Sequence, residues 1–208
     1  MKQTVTVSVA ALLLLAACAR VYVAPAVDLK PHATIGIIEF NCSTKGSLGQ
    51  LTTRKFMEAI TADQTDVGIV ELGDEATVLA AVHQPGLGPE AMQAIGEKYD
   101  VQSVFTGSVT ISDVTPSLYI GPGLAFASFE AKVNATLIAR LVSTSNSATV
   151  WTNSGTDQRT VGGVSKIGSA FSFDAKDPEQ AYGELVSSLT RKVTRDFRHS
   201  WRHKCCGR

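Results

Sequence analysis

Phe129-Glu130-Ala131-Lys132-Val133-Asn134-Ala135-Thr136-Leu137-Ile138-Ala139-Arg140-Leu141 is the stretch that decides the fold. Phe129, Ala131, Val133, Ala135, Leu137, Ala139 and Leu141 fall on one side of an extended chain. Glu130, Lys132, Asn134, Thr136 and Arg140 fall on the other. Successive side chains of a strand alternate between faces, so this period predicts a long antiparallel strand with one face on a core and one in water. Downstream, Ser143 to Ser147 reads as a polar turn and Thr149-Val150-Trp151-Thr152 as the start of the returning strand. Upstream, Val101 to Ser112 is a strand with Phe105, Val109 and Ile111 alternating. Pro116 to Ala127, between the two, is apolar yet rich in Gly and Pro, and Thr160 to Phe173 is rich in Gly and Ser.

Earlier still, Thr34-Ile35-Gly36-Ile37-Ile38-Glu39-Phe40 is almost continuously apolar, the pattern of a central strand covered on both faces. A polar turn follows to Gly46. Ser47 is placed to cap a helix running to about Ala62, with Leu48, Leu51, Phe56, Ala59 and Ile60 towards the sheet. Val67 to Leu72 is a second short strand and Asp74 to Val82 a helix, broken at Gln84-Pro85-Gly86. Gly88-Pro89 opens another helix ending near Tyr99. Asp177-Pro178-Glu179-Gln180 begins the last one, whose apolar stripe is Tyr182, Leu185, Val186, Leu189, Val193 and Phe197. The order β-α-β-α-α-β-β-β-α predicts an α+β fold, an α/β sandwich with a mixed sheet of about five strands and helices packed on it.

The start of the chain has a different logic. A basic beginning (Lys2), a short apolar run from Val9 through Leu15, and Leu15-Ala16-Ala17-Cys18 describe an export signal. The run is shorter than the roughly 20 residues that a membrane helix needs. Cysteine directly after Leu-Ala-Ala resembles the bacterial lipoprotein signal. That resemblance implies cleavage between Ala17 and Cys18 and acylation of Cys18. Two or more acyl chains anchor stably, so the partner implied at this end is membrane lipid. Ala19 follows Cys18 where an Asp would favour retention, which implies the outer membrane with the domain facing the periplasm. Residues 1–17 are thus read as signal peptide, 18–32 as lipidated terminus and tether, 33–201 as the α/β domain and 202–208 as a basic tail containing Cys205 and Cys206.

The chain has 208 residues, 44% of them apolar and 18% charged. That suits one globular domain and fits neither disorder nor a protein of many membrane helices. Formal charge is balanced, but the end is basic: Arg191, Arg195, Arg198 and Arg202 are candidate contacts for an anionic partner. Nucleic acid is not expected as a partner. Cys42, Cys205 and Cys206 remain beside Cys18, and spacing alone does not choose pairs among them. His199, His203, Cys205 and Cys206 have the chemistry of soft metal ligands, but a chance cluster in a tail accounts for them, and neither metal nor cofactor is expected.

With these segments in place, the chain resembles the lipoprotein superfamily that contains the curli-secretion channel CsgG, the penicillin-binding-protein activator LpoB and the polysaccharide-export lipoprotein PelC. Their shared domain is similar to the N-terminal part of TolB. The resemblance lies in Ile35 to Phe40, in Ala94-Ile95-Gly96 leading to Val104-Phe105-Thr106-Gly107-Ser108-Val109, in Val133 to Val142, in Val150-Trp151 and in the closing helix. It implies a non-catalytic assembly or adaptor component of the cell envelope, serving secretion or cell-wall machinery, with other envelope proteins or itself as partner. The alternative is a ring-forming outer-membrane export component for a polymer or protein. Channel-type members carry membrane hairpins where this chain has Pro116–Ala127 and Thr160–Phe173, so Leu118, Tyr119, Ile120, Leu124 and Phe126 are candidates for membrane or partner contact. A barrel hairpin needs about 9–11 alternating residues in each arm; Pro116–Ala127 is too short and too broken by Pro and Gly for two such arms, though neighbouring strands could extend it, and Thr160–Phe173 is also short.

No catalytic residue is assigned. There is no Gly-x-Ser-x-Gly elbow, P-loop or His-Glu-x-x-His helix. His32, His83, His199 and His203 stand apart from nucleophiles in sequence. Glu39, in an apolar strand, would have a raised pKa if buried. Trp151 and Phe126 could stack on sugars, but core packing explains them better. A hydrolase or binding protein for cell-wall sugars is therefore the weakest reading.

Overall fold

A computed structural model of the chain describes residues 18–120, 127–167, 170–173 and 175–205. Its central sheet joins β2 (Thr34–Ile38), β5 (Gly68–Gly73), β6 (Ser103–Ile120), β7 (Ala127–Ser143) and β8 (Thr149–Gly162) in the order β5-β2-β6-β7-β8. β2 runs parallel to both β5 and β6, whereas β6, β7 and β8 are antiparallel. The short β3 (Asn41–Cys42) also pairs with β6. The sheet is therefore mixed, as the alternating and continuous apolar patterns require.

Among the described residues four α-helices cover it: α1 (Leu48–Thr61), α2 (Glu75–Ala81), α3 (Pro89–Tyr99) and α4 (Pro178–Val193). α1 and α4 pack with Ile35, Ile37, Phe105 and the odd-numbered residues of β7 from Ala131 to Leu141, every one of which is buried. Every stripe residue of the last helix is buried too, with Phe197 in the short 3-10 turn Thr194–Phe197 that follows it. A second cluster, on the opposite face, joins Val78 of α2 and Met92 and Ile95 of α3 to Ile38, Leu72, Val104 and Val142. Val104 and Phe105 are adjacent yet belong to different clusters, because neighbouring strand residues face opposite ways. The result is the α/β sandwich expected from the element order.

Caps explain where the helices start. The Asp74 and Asp177 carboxylates accept from the backbone N–H groups of Thr77 and Gln180, and proline occupies the first turn of α3 and α4. Ser47 behaves differently from its expected role. Its ψ is 6° rather than extended, its side chain makes no cap bond, and its Oγ has no hydrogen-bond partner among the described residues. Its N–H instead donates to the Phe173 carbonyl.

The strand through Phe105 is longer than its apolar pattern. β6 does not end at Ser112 but continues, after a register shift, from Thr115 to Ile120, paired with Lys132 to Ala127 of β7. Beyond Val109 only β7 pairs with it among the described residues, so alternate N–H groups face an unpaired edge. Proline is tolerated at such an edge, which is how Pro116 enters a strand. The Gly- and Ser-rich segment that follows β8 holds β9 (Val164–Ile167) and β10 (Ala170–Phe173), an antiparallel pair whose second member lies parallel to β4 (Lys45–Gly46).

Candidate functional site

The two ends of the domain meet. β1 (Cys18–Val23) pairs antiparallel with β11 (Ser200–Cys205), from Cys18 opposite Cys205 to Val23 opposite Ser200. Among the described residues this two-stranded ribbon is a sheet of its own, separate from the central one. Its inner end is tied to the core by Gln64, only 7% exposed. The Gln64 amide accepts from Leu29 N–H at 3.3 Å and donates to the carbonyls of Val27 at 3.2 Å and Phe197 at 2.9 Å. Val27 N–H donates to the Asp196 carbonyl, and Leu29 is fully buried. The segment expected as a tether thus has its second half packed on the domain.

The ribbon carries exposed aromatics. Tyr22 (54% exposed) lies opposite Trp201 (59% exposed), with ring centroids 5.5 Å apart and edge to face. His199 stacks on Tyr22 at 5.8 Å and pairs with the Asp63 carboxylate at 2.5 Å. Nearby, Lys30 and Asp66 form an exposed pair at 2.7 Å, which raises the pKa of the lysine and lowers that of the acid.

Of the basic residues singled out in the sequence, Arg191 and Arg195 are exposed, on the last turn of α4 and just after it. Arg198 is half-buried, and its guanidinium donates to the Arg191 carbonyl. Arg202 falls in β11, opposite Val21. The fold therefore gathers all four at the C-terminal end of α4 and on the ribbon. Cys18 opens β1; Ala17 lies outside the described residues. Leu118, Tyr119 and Ile120 occupy the last positions of β6, opposite Phe129, Ser128 and Ala127. Leu124 and Phe126 lie outside the described residues.

A separate cavity of about 450 Å³ opens beside the C-terminal ends of β2 and β5, lined by Glu39, Glu71, Ser47, Arg54, Asp177 and Glu179 among others. Glu39 sits just past the end of β2 and is half-buried. Burial raises its pKa, and the Asp74 and Glu71 carboxylates add to the rise. Arg54 is already engaged by Glu179 at 2.9 Å.

The fold also brings together one pair that the sequence hides. His32 Nδ1 lies 2.6 Å from Ser103 Oγ. Ser103 is fully buried, so its hydroxyl has no room to meet a substrate, and the contact fastens the 3-10 turn Lys30–His32 to β6. Trp151 is core: it packs with Phe105 and Phe197, and its indole N–H donates to Asp196 at 3.1 Å. Asp157 on β8 has a strongly perturbed carboxylate. Burial pushes its pKa up, but hydrogen bonds from Ser188, Lys192 and Arg159 outweigh this and hold it at about 2. Among the described residues there is no group of His, Cys, Asp and Glu suited to a metal ion. No described helix is long and apolar enough to cross a membrane.

These features define a mixed-sheet α/β sandwich whose first and last described strands pair in a ribbon of their own. No protein-family model and no curated protein sequence matches the chain. Several solved structures are similar in fold. A PelC dodecamer from Paraburkholderia phytofirmans is 13% identical, with 86% of this chain and 96% of that chain covered, at a TM-score of 0.46. The LpoB C-terminal domain from Salmonella enterica is 15% identical, covering 66% and 86%, at 0.42. Lipoprotein GNA1162 from Neisseria meningitidis is 13% identical, covering 62% and 83%, at 0.38. PelC and LpoB, both named in the resemblance read from the sequence, are among these structures.

Proposed function

We propose that this chain is a lipoprotein of the outer membrane. It is cleaved after Ala17 and anchored through acylated Cys18, and its α/β domain acts on the periplasmic side as a non-catalytic adaptor or assembly component that binds other envelope proteins. The observation that carries the reading is the placement of Cys18. The cysteine that ends the Leu-Ala-Ala signal lies in β1, part of a ribbon that among the described residues is separate from the central sheet. A non-catalytic role is supported by the burial of Ser103, whose hydroxyl lies against His32.

The export-ring alternative has less support from the sequence: Pro116–Ala127 is broken by Pro and Gly, and it and Thr160–Phe173 are each short for a hairpin with about 9–11 alternating residues in both arms. Fractionation of cells carrying Cys18→Ala tests the anchor: the variant is expected in the soluble periplasm, and its continued presence in the membrane sinks the proposal.

A further inference from the structure

We propose that the cavity beside the C-terminal ends of β2 and β5 is a binding site for an organic cation, an ammonium or guanidinium group held by Glu39 and Glu71. The site depends neither on acylation of Cys18 nor on the adaptor reading.

The cavity, about 450 Å³, has the size of a small-ligand site. Its wall joins the end of the sheet to the beginnings of α1 and α4. Glu39, Glu71, Asp177 and Glu179 bring four carboxylates to it, against the single guanidinium of Arg54. Half of that acidity has a structural explanation. Asp177 caps α4 by accepting from Gln180 N–H, and Glu179 is engaged by Arg54 and Lys55, each at 2.9 Å. Arg54 is thereby taken. Glu39 and Glu71 remain, and among the described residues neither carboxylate meets a hydrogen-bond donor or a basic side chain. What Glu39 does meet is burial, with the Asp74 and Glu71 carboxylates beside it, all of which oppose its ionisation. A fold keeps such a conflict chiefly where a site needs the charge.

A second observation comes from the start of α1. Ser47 also lines the cavity, and its hydroxyl oxygen is buried without a hydrogen-bond partner among the described residues. A buried polar atom left without a partner calls for one. Ammonium and guanidinium groups carry several N–H donors and no acceptor, so one such group can answer both carboxylates and donate to the hydroxyl oxygen as well. A metal ion fits the site less well, since no group of His, Cys, Asp and Glu suited to one is found among the described residues.

The test uses the full protein as extracted in mild detergent. The probes are the blocked peptides acetyl-Gly-Lys-Gly-amide and acetyl-Gly-Arg-Gly-amide, the neutral acetyl-Gly-Gln-Gly-amide, and butylamine. Binding is read by calorimetry and by amide chemical shifts. The expected result is saturable binding of a basic probe, with the largest shifts at Ser47, Gln50 and Gly73 of the cavity wall. Changing Glu39→Gln and Glu71→Gln together removes both charges at nearly constant shape. It should weaken binding at least about tenfold without lowering Tm. Glu97→Gln, at an exposed acid of α3 outside this cavity, should leave binding unchanged.

Butylamine binding as tightly as the basic peptides supports the site as one for free amines, and binding of the peptides alone supports it as a socket for a basic side chain of a partner. Absence of saturable binding by every basic probe overturns the proposal. So does equal binding of the neutral peptide, a folded double variant that binds like the unaltered protein, or an equal loss in Glu97→Gln.

Discussion

Replacing Gln64 with alanine tests whether the chain's two ends are held to the domain by one buried amide. The substitution removes three hydrogen bonds. The groups left behind differ in access to water. Leu29 N–H and the Phe197 carbonyl belong to fully buried residues, while the bond to the Val27 carbonyl is only partly buried. A buried polar group left without a partner costs about 1–3 kcal/mol. Two such groups, partly relieved by water entering the space vacated by the amide, give a loss of about 2–3 kcal/mol. For a domain of this size, 1 kcal/mol moves Tm by roughly 2–4 °C, so Gln64→Ala should melt about 5–10 °C lower. Urea denaturation measures the free energy, and hydrogen exchange at the Leu29 amide shows where it is lost. The amide should exchange far faster in the variant, while amides in the centre of β7 change only through the lower global stability. A loss below about 0.5 kcal/mol, with Leu29 still protected, would refute the account of how the termini are held.

Three further outcomes follow from particular contacts. Asp157, held at about 2, is an acid with a depressed folded-state pKa. Its contribution is present above the ordinary carboxylate pKa and lost as pH falls towards 2, so Asp157→Asn should cost on the order of 1–2 kcal/mol at pH 7 and almost nothing at pH 2, read by urea denaturation at both. Glu39 has the opposite sign: burial and then its acidic neighbours raise its pKa, so its ionised form costs stability at neutral pH. Glu39→Gln should raise Tm at pH 7 and give no gain at pH 3. Gly107 in β6 has no room for a methyl, since a Cβ there would lie 2.7 Å from the Ile138 carbonyl oxygen and 3.0 Å from the Phe40 ring. Gly107→Ala should therefore destabilise by about 2 kcal/mol or more, measured by thermal melting.

The parts of the fold that could be read in advance are those whose pattern is local. β7 shows its two faces in strict alternation because one is buried and the other is not, and the stripe of α4 survives intact into the core. The ribbon escaped notice for the converse reason. Ser200-Trp-Arg-His-Lys-Cys205 shows no apolar alternation, and its partner lies at the opposite end of the described residues. Reading it as a basic tail was a reading of composition alone. The continuation of β6 was hidden by Pro116, which ordinarily argues against a strand and is admitted here by an open edge. Gln64 and His32 carry no signal at all in one sequence: each acts through a partner 35 to 133 residues away.

The candidate site divides in the same way. Cys18 was legible because its signal is a contiguous motif, and Arg191, Arg195, Arg198 and Arg202 because charge can be counted. That Cys18 and Arg202 share one ribbon was not legible, since it depends on the pairing of β1 with β11 across the length of the domain.

The most direct test of the account is the intact mass of the protein extracted from membranes in mild detergent. The account predicts a chain beginning at Cys18, without residues 1–17 and heavier than that sequence by diacylglycerol and further acyl mass on the cysteine. A chain that keeps residues 1–17, or one that begins at Cys18 without added mass, would contradict it.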